Sequence, residues 1–317
     1  MTKCHHRLRQ WYQKYGRTDL PWRVNPTPYN VYVSEIMLQQ TQVATVKQRF
    51  YEPFLQQFPS LSKLAAAKEQ EVMKAWEGLG YYRRARYLHK AAKQIGSDKL
   101  PDTLEALLAL PGIGRNTAHA ILAFGFEKPY PVMEANLKRV LCRYYGLVEP
   151  SETELWQKAD QLLDKQYPFE YNQAMMDIGA MVCTVNSPSC LVCPLNQACV
   201  GKLDPAAYKV KKTSKKPPTK NRIIIVKQNS QHQIYLKQRD GEFLGGLWGF
   251  EQFEVADIDT LVYLGDVKQT YSHFALKAKV YKQYHEDAKK GYYSYQQASA
   301  MPLSKLDQKI LSLVEKH

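Results

Sequence analysis

The sequence predicts a mainly α-helical N-terminal unit joined to a small α+β C-terminal domain. Three observations carry this expectation. Apolar residues recur at helical spacing as far as residue 200, a lysine- and proline-rich stretch interrupts the pattern at 207–220, and β-branched, alternating runs take over from Asn221. A chain of 317 residues with 44% hydrophobic content exceeds one typical domain and can bury more than one core. The expected organisation is a helical unit over 1–200, a basic linker over 201–220 and a sheet-containing domain over 221–317.

In the helical part, Leu61, Leu64, Ala65, Val72 and Trp76 share a helical spacing, as do Leu104, Leu107 and Leu108, with Pro, Gly and Asn marking the breaks. In PVMEANLKRV (131–140) a helix is expected to begin only after Asn136. Glu134 lies just ahead of it, where an acidic side chain ordinarily caps the helix or faces its dipole. The stretch AYKVKKTSKKPPTK (207–220) holds too much lysine and proline to join a core. Beyond it, RIIIVK, QIYLKQR, LWGFEQF and YSHFALKAKVYKQY read as strands.

A formal net charge of +14 suits a polyanionic partner. A solvated basic surface has the same composition, so charge alone does not decide for nucleic acid. Part of the excess is local, with seven lysines in 201–220 against one acidic residue, Asp204. The first residues, MTKCHHRLRQWYQKYG, are charged and aromatic, and no stretch approaches the ~20 apolar residues of a membrane span. A cytoplasmic protein with no membrane partner is expected, and in a reducing compartment its six cysteines are poor disulfide candidates.

Four of those cysteines, Cys183, Cys190, Cys193 and Cys199, form the pattern C-x6-C-x2-C-x5-C. Thiolates so crowded suit one metal centre, either zinc or an iron–sulfur cluster. The single C-x2-C pair tilts the spacing toward a cluster, because common zinc modules use two. Cys4 and Cys142 lie outside the pattern. In TLEALLALPGIGRNTAHAILAFGF, the residues Gly112, Ile113 and Gly114 separate two apolar helical segments. The glycines allow a tight hairpin, and the free amides at the start of the second segment suit a DNA phosphate. An ordinary helix–helix turn uses the same residues.

Together, SEIMLQQTQV (34–43), GLGYYRRARYLHKAA (78–92), LPGIGRNTA (110–118), NQAMMDIGAMVC (172–183) and the cysteine spacing resemble the adenine DNA glycosylase (MutY) family of helix-hairpin-helix glycosylases, over nearly all of residues 8–200. The resemblance implies a two-lobed helical catalytic unit with one [4Fe–4S] cluster on the four cysteines. It further implies base excision repair of double-stranded DNA in which adenine is mispaired with 8-oxoguanine or guanine, by a monomer associated with the nucleoid.

Glu35 matches the family's general acid, which protonates adenine N7, and burial among Ile36, Met37 and Leu38 would raise its pKa. Glu134 falls where the family has Asp and Ala135 where it has Gly, ahead of Asn136, which matches an active-site Asn. In that position Glu134 would stabilise an oxocarbenium-like sugar and position or replace the nucleophile. Its extra methylene moves the carboxylate by about 1.5 Å, a displacement that can cost about 100-fold in rate. Ala135 also disfavours any positive-φ turn that Gly would permit. A compensated site, an altered substrate and a weakened enzyme are the three readings of this departure. Asn116 stands where bifunctional relatives carry a Schiff-base Lys, which implies a monofunctional glycosylase that leaves an abasic site.

Trp22 and Asp177 fall where the family lines its adenine pocket, and Gln39 and Tyr81 match residues that intercalate beside the opposing purine. The C-terminal part resembles the family's Nudix-like domain in GGLWGF (245–250) and TYSHF (270–274). It lacks the glutamate run of a Mg²⁺-dependent Nudix hydrolase, so pyrophosphate hydrolysis is not expected. Tyr271, Ser272 and His273 match the Phe-Ser-His with which the family contacts 8-oxoguanine, while the plainer reading is a strand with alternating aromatics. Two other functions fit the same motifs: a non-catalytic mismatch-binding protein, and a glycosylase for another mispaired base. A mere binder would need neither Glu35 nor Asn136.

Overall fold

A computed structural model of the chain describes residues 2–208, 217–241, 243–285 and 290–316. Packing divides the chain into two units, one formed by Met1–Ser62 and Lys90–Thr213, the other by Lys63–His89 and Ser214–His317. Helices α1 (Thr2–Tyr15), α2 (Pro21–Val24), α3 (Pro28–Leu38), α4 (Val43–Arg49), α5 (Tyr51–Gln57), α6 (Leu61–Ala66), α7 (Glu69–Ala75) and α8 (Arg83–Ile95) follow one another in the N-terminal part. The spacing from Leu61 to Trp76 is shared between α6 and α7 because the chain restarts at Lys68, whose N–H donates to the Glu71 carboxylate at 2.9 Å.

Helices α9 (Leu104–Leu108) and α10 (Arg115–Ala120) flank the hairpin turn, and α10 runs on as a π-helical turn, Ile121–Gly125. Next come α11 (Ala135–Tyr145), α12 (Glu152–Leu162) and α13 (Pro168–Asp177), the last extended by a second π turn, Ile178–Val182. Helix α11 starts at Ala135, ahead of the expected position, because the Lys138 N–H closes its first turn on the Glu134 carbonyl at 2.9 Å. Ala135 is helical and is not among the positive-φ residues, so the anticipated strain is absent there.

Helix α3 buries Val31, Tyr32, Val33, Ile36 and Met37, as a helix apolar nearly all round must, and packs against the π extension of α10. Helices α1, α11 and α13 share a core containing Leu8, Tyr12, Leu137, Leu141, Tyr171 and Met175. The π turn after α13 approaches α11 so closely that a Cβ on Gly179 would meet the Asn136 Cβ at 2.9 Å.

In the second unit the strands β1 (Thr219–Asn229), β2 (Ile234–Tyr235), β3 (Lys237–Gln238), β4 (Trp248–Gly249), β5 (Glu251–Phe253), β6 (Val262–Thr270), β7 (Ala275–His285) and β8 (Tyr292–Tyr293) precede α14 (Tyr295–Ala300) and α15 (Lys305–Val314). The main sheet runs β6-β7-β1-β2-β8, with β5 also on β1; β1 and β7 are parallel, and β3 pairs separately with β4. Alternation along β1 turns Ile224 and Val226 into a core with Phe250, Leu276, Val280, Leu306 and Ile310.

Two expectations change. Tyr271–Phe274 is the turn joining antiparallel β6 and β7, closed by the Tyr271 N–H on the Phe274 carbonyl at 2.8 Å, and β7 starts only at Ala275. The expected linker is ordered at both ends: Gly201 is buried against the Arg143 carbonyl, and Thr219 already belongs to β1. Its stretch 209–216 lies outside the described residues. No helix among the described residues is long and apolar enough to cross a membrane.

Candidate active site

Glu35 reaches its position through α3. Thr27 caps that helix by accepting the Asn30 N–H at 3.2 Å, and Pro28 opens it. Helix α3 is buried from Val31 to Met37, which leaves Glu35 only 8% exposed. Burial, and then the neighbouring Glu134 carboxylate, push its pKa up to about 8 against a modest opposing pull from Arg23.

Glu134 occupies the N-cap position of α11 in extended conformation, yet its side chain makes no cap hydrogen bond. The ordinary capping role is therefore not the one this carboxylate plays. Burial raises its pKa, and Arg17 and Arg23 oppose the rise. Burial raises both acids, but the charges beside them differ: the arginines oppose the rise at Glu134, whereas the Glu134 carboxylate adds to it at Glu35.

Asp177 and Trp22, expected to line a base pocket, are both enclosed. Asp177 is 0% exposed and accepts from the Arg23 guanidinium at 2.8 and 3.0 Å and from the Arg17 guanidinium at 2.6 and 2.8 Å, with the Arg17 backbone N–H at 2.8 Å. Burial alone would raise the Asp177 pKa, but these bonds and charges outweigh it and hold the carboxyl below its usual range. Trp22 packs edge-on against Tyr51 at 5.2 Å.

The segment leading into Glu134 is extended, buried and without a strand partner, so side chains must satisfy its backbone. His119 Nδ1–H donates to the Pro131 carbonyl at 2.7 Å, Asn172 Oδ1 accepts the Val132 N–H at 2.9 Å, and Asn116 Oδ1 accepts the Met133 N–H at 2.6 Å. Asn116 thus serves this loop as an acceptor. Asn136 is exposed, and its Oδ1 accepts from Arg139 at 3.1 Å; Arg139 also donates to the carbonyls of Gly179 at 2.6 Å and Cys183 at 2.9 Å.

Cys183, Cys190, Cys193 and Cys199 line one small cavity together with Arg143 and Lys202. Arg143 donates to Cys183 Sγ at 3.3 Å and to the Thr184 carbonyl at 2.6 Å. Burial, reinforced by the other thiols, pushes Cys193 up to about 11. Among the described residues no three His, Cys, Asp or Glu side chains converge on a single metal ion. A four-iron cluster asks for a different arrangement, in which each thiolate binds its own iron, and four thiols around one cavity beside a guanidinium suit an anionic cluster.

Gly112, with φ 80°, and Gly114 are exposed at the hairpin tip, whereas Ile113 points into the core. Gln39 follows α3 and donates to Thr117 Oγ1 at 3.2 Å. In the second unit Tyr81 is 44% exposed with φ 49°, and Ser272 and His273 are exposed on the β6–β7 turn, where Phe243 stacks near Tyr271 and His273 at 5.1 and 5.2 Å.

Sequence reasoning passed over Arg17, Arg23, His119 and Asn172. Asn172 and His119 sit inside stretches already singled out, NQAMMDIGAMVC and TLEALLALPGIGRNTAHAILAFGF, and Arg23 adjoins Trp22; Arg17 carries no signal apart from the fold.

A hairpin between two helices, a buried carboxyl with a second carboxylate beside it and a cysteine loop define a helix-hairpin-helix base-excision protein. Residues 33–165 accordingly match the family model of the HhH-GPD superfamily base excision DNA repair protein. The adenine DNA glycosylase of Buchnera aphidicola from Acyrthosiphon pisum is 32% identical, over 97% of this chain and 96% of that protein. The human adenine DNA glycosylase is 42% identical over 61% of this chain and 38% of its own length. A thermostable thymine-DNA glycosylase structure superposes with a TM-score of 0.57 at 26% identity, covering 62% of this chain and 95% of that one. An endonuclease III–DNA complex, at TM-score 0.53 and 20% identity, shares the fold. The chain belongs to the adenine DNA glycosylase family.

Proposed function

We propose that this DNA glycosylase removes adenine paired with 8-oxoguanine or guanine from double-stranded DNA, in base excision repair, and leaves an abasic site. One observation carries the reading: Glu35 is buried on α3 beside the half-buried Glu134 carboxylate, where burial and then that charge push its pKa up to about 8. As the N-glycosidic bond breaks, its electrons pass to adenine and the Glu35 proton neutralises N7. Ionised Glu134 stabilises the positive sugar, and water adds at the sugar carbon and gives its surplus proton to the Glu134 carboxylate. Asn116 has no amine with which to form a Schiff base, which supports a monofunctional reaction.

Residues 1–200 serve as the catalytic part, 201–220 as a basic linker and 221–317 as a Nudix-like part in which Tyr271, Ser272 and His273 meet the 8-oxoguanine. The hairpin amides around Gly112 and Gly114 face a DNA phosphate; a Cβ placed on Gly114 would meet nothing within 4 Å, which leaves room for one. Cys183, Cys190, Cys193 and Cys199 hold one [4Fe–4S] cluster, which contributes structure and DNA binding and takes part in no chemical step above.

The test is single-turnover release of adenine from an adenine:8-oxoguanine duplex by the natural chain, Glu134→Asp and Glu134→Gln. Release by the first two and not the third supports the reading. Release by Glu134→Asp alone moves the chain to mismatch binding or to another base, which a panel of mispairs then separates.

A further inference from the structure

The turn that presents Tyr81 is unusual in its backbone. Gly78, Gly80 and Tyr81 all have positive φ, at 94°, 80° and 49°. Glycine adopts such angles freely, but a bulky residue does so only where its surroundings impose it. Tyr81 is also 44% exposed, so burial of its own ring is not what holds it.

What imposes the turn lies more than two hundred residues further along the chain, within the same unit. The Glu77 carboxylate accepts the Leu303 N–H at 2.8 Å and Lys74 Nζ at 2.7 Å, and the same Lys74 donates to the carbonyls of Ser299 at 2.8 Å and Met301 at 3.1 Å. The Tyr82 hydroxyl accepts the Gly78 N–H at 3.1 Å and donates to the Leu303 carbonyl at 3.4 Å. Both backbone groups of Leu303 are therefore taken by side chains that flank Tyr81. The 302–304 segment is itself anchored: the Trp248 N–H donates to the Pro302 carbonyl at 3.0 Å. Asp307 accepts Arg239 at 2.7 and 2.8 Å and the Phe250 N–H at 3.1 Å. The turn's other edge is tied locally, with Trp76 Nε1–H and Arg84 donating to the Gly80 carbonyl at 3.2 and 3.1 Å.

We propose that Glu77 and Tyr82 are positioning residues through which the Pro302–Ser304 segment of the C-terminal sheet domain holds Tyr81 in its left-handed, exposed conformation, ready to enter the duplex. The inference rests on the reading of Tyr81 as the residue that fills the helix beside the mispair. It adds that the domain that reads the opposing base also sets the wedge that accompanies extrusion of adenine. Neither residue touches the reacting atoms, and loosening either leaves the Glu35–Glu134 chemistry in place.

The experiment compares Tyr82→Phe, Glu77→Gln and Tyr81→Ala, singly and as the Tyr81→Ala/Tyr82→Phe double variant, in the full chain. Three quantities are read: affinity for an adenine:8-oxoguanine duplex relative to a fully matched one, fluorescence of 2-aminopurine placed at the target adenine as a report of extrusion, and the thermal midpoint. Tyr81→Ala, Tyr82→Phe and Glu77→Gln are each expected to lower discrimination and extrusion about tenfold, given what a displacement of an ångström costs. The double variant should be no worse than Tyr81→Ala alone. A purely structural role would instead lower the midpoint and make the double variant additively worse, which overturns the proposal. Discrimination within twofold of the natural chain in both Tyr82→Phe and Glu77→Gln, while Tyr81→Ala loses it, overturns the positioning and spares the wedge. Normal discrimination by Tyr81→Ala removes the wedge reading and the proposal with it.

Discussion

Two corners of the first unit bury a carboxylate on a helix, and chemistry treats them oppositely. On α3, Glu35 has the Glu134 carboxylate for a neighbour, and its pKa rises to about 8. At the end of α13, Asp177 is more deeply enclosed, yet two guanidiniums grip it and its pKa falls. Burial raises both acids; at Glu35 the Glu134 charge adds to it, and at Asp177 the arginines reverse it. The same two arginines serve both corners, because Arg17 and Arg23 also oppose the rise at Glu134. Asp177 fixes the cations, and the cations oppose the rise that burial imposes on Glu134.

The sharpest way to break this contrast is Glu35→Gln. Loss of the acid should lower single-turnover adenine release by about 10²–10⁴-fold while duplex binding holds; turnover near the natural rate would remove Glu35 from its role. Next in size is Asp177→Asn. It leaves Arg23, whose side chain is 2% exposed, without its buried partner, and breaking such a pair costs about 3–5 kcal/mol, to be read in thermal unfolding. A loss below about 1 kcal/mol, as for an exposed pair, would mean that solvent already reaches this corner.

The pH dependence sharpens the contrast further. An acid whose pKa is raised on folding binds more protons in the folded chain than in the unfolded one. Its unfavourable contribution is absent below the ordinary value of 4.5 and grows as pH climbs toward about 8. Each pH unit in that window is worth at most about 1.4 kcal/mol. Glu35→Gln should therefore be more stable than the natural chain at pH 8 and equal to it at pH 4, by denaturant unfolding at both. Natural activity should fall on the alkaline side near pH 8. Identical stability profiles for the two chains would show that folding leaves the Glu35 pKa at its ordinary value.

Glu35 and Glu134 could be singled out from sequence because SEIMLQQTQ and EAN are local strings that resemble the family's motifs. The ion pair was not: Arg17 and Asp177 lie 160 residues apart, and a surface Arg looks the same in sequence as a buried one. The change from helical to strand periodicity near residue 220 located the sheet domain, but 63–89 also belongs to that unit, and its bonds to 299–303 come from Lys74, Glu77 and Tyr82, ordinary polar residues in sequence. At YSHF, alternation describes a strand and a tight turn equally, and only the Tyr271–Phe274 hydrogen bond distinguishes them. The place of Glu134 was readable, and its lack of a cap bond was not.

The smallest expected effect concerns how Glu134 is held. Its carbonyl is fixed by the first turn of α11 and the residue before it by Asn116, so the backbone is set on both sides while the carboxylate stays free of cap duty. Asn116→Ala removes the acceptor for the Met133 N–H and lets that backbone drift. Release should slow by about tenfold, whereas Asn116→Asp, which keeps an acceptor oxygen, should retain more of the rate. In a Glu134→Gln background the same Asn116→Ala change should cost almost nothing further, because there is no longer a charge to place. Equal losses in both backgrounds would assign Asn116 to general stability, and the compensation for Glu134's longer side chain would then have to be sought in Arg17 and Arg23.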